Sequence, residues 1–175
     1  MQGVKTLPFL DRPGTVFNYR IAFEDGAGEV LREELCPIYV DARTEQAQQS
    51  LGQRILNGTA LDAPPDRSVL RSLREQKESL RQPAETYLSQ TVRRIRDSLS
   101  EDRQRRTERE LRRLDEYAAA ERARLESFIE EYREQQEAGA DMKIAIRGQE
   151  TRLQDLESRI QQRKENVQEK GRVVS

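Results

Sequence analysis

The residues able to do chemistry in this chain are few in kind. Histidine is absent and Cys36 is the single thiol, so the commonest general base and metal ligand is missing and no cysteine pair can close a disulfide or a zinc site. Cys36 stands between Leu35 and Pro37 in an apolar stretch, where a free cysteine packs as a small hydrophobe. The carboxylate pairs Glu33-Glu34 and Glu130-Glu131 are adjacent in sequence, and on a strand or a helix such neighbours diverge, so neither forms an acid/base pair. No G-x-x-x-x-G-K-[ST], G-x-G-x-x-G or G-x-S-x-G stretch occurs. The reading is of a non-enzyme that takes no cofactor and no metal.

What remains is charge. Charged residues make up 36% of the 175 and hydrophobic ones 34%, a mixture that belongs to long helices and coiled coil. The net charge of −1 hides a polarity along the chain. Between Arg93 and Arg113 there are nine Arg and five acids, while Leu114 to Glu137 holds three Arg and eight acids. Arg103, Arg105, Arg106 and Arg109 lie in Ser100–Glu110, a stretch without any apolar residue. Such a block is either a solvated helix face held by nearby acids or a surface for nucleic-acid phosphate, to which arginine is well fitted. No aromatic side chain is interleaved, so base stacking is not indicated.

The elements that must carry these residues follow from periodicity. Phe17, Tyr19, Ile21 and Phe23 alternate with polar neighbours over residues 16–23, which predicts a half-buried strand. Residues 35–40 return as a second apolar run after Gly26 and Gly28, so a hairpin is expected, with Pro37 at an edge or bulge. Helices are expected over 44–57, capped by Thr44, and over 66–82, capped by Asp66, with a linker from Thr59 to Pro65 between them. Pro83 ends or bends the second helix, or opens the next.

From Ala84 to Glu137 there is neither Gly nor Pro. Leu111, Leu114, Ala118, Leu125, Phe128 and Tyr132, and then Met142, Ile146, Leu153, Leu156, Ile160 and Val167, form two seams at three-and-four spacing. One continuous coiled coil fits them, but a hairpin that turns within 138–148 avoids two interior glycines. Folding near residue 143 would place Leu156 by Ile129, Ile160 by Leu125 and Val167 by Ala118. It would also leave Ser100–Glu110 as an exposed neck and bring Val173 and Val174 to Leu111 and Leu114. The expected fold is α+β and predominantly α: a small module with a β-hairpin over residues 1–82, then a long antiparallel coiled-coil hairpin over 83–175.

The order Val16-Phe17-Asn18-Tyr19-Arg20-Ile21-Ala22-Phe23, then Leu31 to Asp41, then a long charged helical hairpin resembles the region C-terminal to the ATPase core of RapA-like helicases of the Swi/Snf family. The resemblance covers most of the chain and implies an accessory piece of an ATP-driven DNA translocase, with ATP binding and hydrolysis confined to the parent. It implies as partners the rest of that helicase, DNA or RNA, and RNA polymerase. The alternatives are a stand-alone coiled-coil scaffold that self-associates, and a cryptic enzyme. No apolar run reaches the roughly 20 residues of a membrane span and no signal pattern opens the chain, so a cytoplasmic protein without a membrane partner is expected.

Overall fold

The computed structural model describes residues 5–60 and 66–174; of the expected linker, residues 61–65 lie outside the described residues. The structure has the expected class, an antiparallel β-hairpin sheet followed by long helices that pack on each other. The chain forms two compact units, one holding the residues up to Phe23 together with Val30–Ser98, the other Glu24–Glu29 and Leu99–Val174. The module boundary expected near residue 83 therefore falls inside the first unit.

In the first unit, β1 (Gly14–Asp25) and β2 (Val30–Asp41) are neighbours in the sheet, and both exceed the expected strands 16–23 and 35–40 at each end. Phe17, Ile21 and Phe23 are buried, as their alternation requires. From Cys36 to Asp41 every residue of β2 is buried, because this half of the strand is covered on both faces. One face carries Tyr39, which packs with Leu7 before the sheet and Ile55 on α1 (Gln49–Asn57). Gly52 lets that helix rest on the Pro37 carbonyl, which a Cβ at residue 52 would strike.

The other face holds Tyr19, and the charges of Glu85 and Arg81 reach its hydroxyl. Both belong to α3 (Lys77–Glu137), whose Leu80, Ala84 and Thr91 are buried at helical spacing. Cys36 is fully buried, and that burial, reinforced by Glu34, raises its pKa away from reactive thiolate.

The helix expected from Thr44 starts later. The Asp41 carboxylate accepts the N–H groups of Arg43 and Thr44 at 2.8 and 3.0 Å, and the turn so made returns the chain as the two-residue strand β3 (Ala47–Gln48), antiparallel to β2 at Val40 and Tyr39. Burial alone would raise the Asp41 pKa; the Arg43 and Thr44 N–H groups, with Arg12, hold it below the ordinary value. β2 is thus an interior strand, not an edge, in the order β3-β2-β1-β4. Pro37 is tolerated because the Asp41 N–H donates to the Gln46 carbonyl just before β3, and its alternate Pro37 faces the same side beyond the end of that short strand.

Asp66 caps α2 (Arg67–Glu75) through Ser68 N–H at 2.7 Å, as expected. The break then comes at Gln76, and α3 runs unbroken through Pro83. The proline removes the bond that would reach the Ser79 carbonyl, and both residues border an open groove at the surface.

In the second unit, α3 from Leu99 onward and α4 (Lys143–Lys170) form the helical hairpin. The turn occupies only Ala138–Met142, where Gly139 takes φ of 100°, a value that suits glycine; Gly148 stays inside α4. Leu125, Ile129, Leu156 and Val167 are buried between the arms. Ion pairs between the arms mark their register: Arg122 to Glu157 at 2.8 Å, Arg133 to Glu150 at 3.2 Å, and Lys164 to Asp115. This register differs by more than one helical turn from the expected one, bringing Leu156 level with Leu125 and setting Ile160 and Val167 nearer the start of α3 than expected. Val173 and Val174, expected at Leu111 and Leu114, are found paired with the end of β1. They form β4, antiparallel to Asp25 and Glu24.

Candidate nucleic-acid interface

The stretch Ser100–Glu110 is not a bare neck. Tight contacts within the second unit close around it at the hairpin's base. Asp25, with its side chain 1% exposed, accepts the N–H groups of Ala27 and Glu29 with Oδ1, both at 2.9 Å. Its Oδ2 has no hydrogen-bond partner and looks to Arg103 at 3.8 Å. Gly26 sits against the Glu169 carbonyl, with no room for a Cβ, and a Cβ on Gly171 would lie 2.5 Å from Thr107 Oγ1. Lys170 adds an ion pair to Glu29 at 3.8 Å.

The four arginines singled out by sequence therefore separate. Arg103 is 26% exposed and turned to Asp25, so its expected place on the solvent surface is corrected: a buried carboxylate in need of a counter-charge draws it inward. Arg105 is 70% exposed and lies 3.9 Å from Glu101, while its carbonyl accepts Nε of Arg109 at 3.0 Å. Arg106 and Arg109 remain at the surface and line one groove with Glu110, Arg113, Leu114 and Arg163.

That groove is the basic feature of the second unit. Arg106, Arg109 and Arg113 recur at three-and-four spacing along about 10 Å of α3, and Arg163 reaches the same concavity from α4. Among the described residues, none of these four guanidinium groups is in an ion pair. Glu110 supplies the single carboxylate on the groove's lining. Four permanent positive charges with forked donors and so little compensation suit phosphate oxygens. Arg113, which belongs to the arginine-rich run read from the sequence, could be placed with Arg106 by its spacing. Arg163 could not, because its position depends on the register of the two arms.

Elsewhere the chemistry is sparse. Among the described residues no group of three His, Cys, Asp or Glu side chains is placed to hold a metal ion, and no helix is long and apolar enough to cross a membrane. The surface groove near Pro83 in the first unit is lined mainly by uncharged side chains such as Ser79, Gln82, Thr86 and Tyr87. No protein-family model matches the chain, and neither a curated protein nor a solved structure matches it.

Proposed function

We propose that this chain is a non-catalytic contact module whose helical hairpin grips nucleic-acid phosphate, and that it serves as an accessory region of a RapA-like, ATP-driven translocase. The observation that carries the reading is the surface groove lined by Arg106, Arg109, Arg113 and Arg163, none of which is in an ion pair among the described residues. The sequence resemblance supports the larger context, with the ATPase and any RNA polymerase contact belonging to the parent. The groove has guanidinium forks and no aromatic platform, so it reads backbone charge and not base sequence.

The test is fluorescence anisotropy with duplex DNA and duplex RNA of unrelated sequences over a salt series. Each phosphate neutralised on B-form DNA contributes about −0.9 to the slope of log affinity against log salt, so up to four contacts give a slope of roughly −3 to −4. Replacing Arg106, Arg109, Arg113 and Arg163 with Gln should weaken binding equally for all sequences and bring the slope towards zero. Equal affinity of this variant and the parent chain at low salt refutes the reading.

A further inference from the structure

A second pattern on α3 goes beyond nucleic-acid contact. Arg106, Arg109, Arg113, Glu116, Tyr117, Ala120, Arg124, Glu131 and Glu134 are all exposed and fall on the flank of α3 turned away from buried Leu125 and Ile129, at helical spacing. The stripe is basic at one end, acidic at the other and small in the middle, where Ala119, Ala120 and Ala123 are exposed. Tyr117, at 57% exposure, lies beside this small stretch.

We infer that α3 docks antiparallel on the α3 of a second copy of this chain, about a two-fold axis at Ala120. An isologous contact must be self-complementary, with each pair made twice, and this stripe satisfies the condition. Reversal about Ala120 sets Arg106 against Glu134, Arg109 against Glu131, and Glu116 against Arg124. It lays Tyr117 over Ala123, where the absence of larger side chains lets the helices approach. Glu110 against Glu130 is the like-charged level, and Arg113 stands one turn from Glu110 to offset it. Within one chain these groups are lightly engaged: Glu131 accepts Gln135 at 3.3 Å and Arg124 lies 3.5 Å from Glu121. Arg106 and Arg109 serve both this contact and the phosphate groove, so nucleic acid and the second copy compete for them.

The experiment is sedimentation velocity on nuclease-treated full chain, at low salt and at about 0.5 M salt, where the Debye length falls below about 5 Å. The parent chain should dimerise at low salt, with the dissociation constant rising tenfold or more at high salt. Two variants provide the decisive arm: Arg106→Glu with Arg109→Glu, and Glu131→Arg with Glu134→Arg. Each alone places like charges at both ends of the contact and should stay monomeric. Mixed in equal amounts they restore opposite charges at every junction and should form a heterodimer. Circular dichroism checks that both variants keep their helicity. A parent chain that is monomeric at low salt, or a mixture that fails to pair while both variants are helical, overturns the inference. The phosphate reading fails separately, since Glu131→Arg with Glu134→Arg leaves the groove arginines in place.

Discussion

Replacing Asp25 with Ala tests what holds the base of the helical hairpin. The carboxylate accepts two backbone N–H groups, from Ala27 and Glu29, and balances Arg103 from a site 1% exposed. Hydrogen bonds to a charged group contribute about 1.5–3 kcal/mol each, and removing one partner of a buried pair costs about 3–5 kcal/mol. Arg103 is 26% exposed and regains some hydration, so the lower part of that range applies: about 3 kcal/mol. Asp25→Asn keeps an oxygen for both N–H groups and loses only the charge opposite a partly exposed Arg103, so it should cost less than Asp25→Ala, about 1–2 kcal/mol. Urea unfolding followed by circular dichroism reads both. If Asp25→Ala falls within about 0.5 kcal/mol of the parent, as a plain surface change would, the reasoning is wrong. If the two variants cost the same, the charge and not the turn dominates.

The observed register places Leu125 level with Leu156; in a Cys36→Ser background, cysteines at these two positions should cross-link within one chain faster than cysteines at Leu125 and Ile160, read by reducing and non-reducing gels. Gly52→Ala drives a methyl group into the Pro37 carbonyl and should destabilise the first unit by about 1–3 kcal/mol, measured by chemical denaturation. Asp41 has a folded pKa below its unfolded value, so its contribution is fully present above the unfolded value near 4 and is lost as pH falls through the folded one. Asp41→Asn should therefore flatten the loss of stability below about pH 4, and an unchanged acid limb would count against the Asp41 turn.

Sequence reading reached those features whose signal is periodic or chemical. Phe17 to Phe23 alternate cleanly, Asp66 precedes its helix as a cap, and the seams of α3 and α4 repeat every three and four residues. It missed β3 and β4 because a two-residue strand has no period to detect. It misplaced the arms because a repeating apolar seam fits several registers, and the short turn over 138–142, earlier than the expected fold near 143, selects among them. Asp25 stands in the sequence simply as the neighbour of the turn glycine Gly26. Its claim on Arg103 depends on residues far apart in sequence, and so does the arrival of Arg163 in the groove.

One end of α4 follows the turn at Gly139, and the other is secured by the pairing of Val173 and Val174 with the β1 end. Helix termini ordinarily fray first, and amide exchange then rises smoothly towards them. Here fraying from the C-terminal end must first release a strand pair. Gly148 has open space where a side chain would be and weakens the helix from within. Exchange in α4 should consequently begin near Gly148 and spread towards Lys170, giving the arm one labile end and one slow end despite its nearly uniform composition.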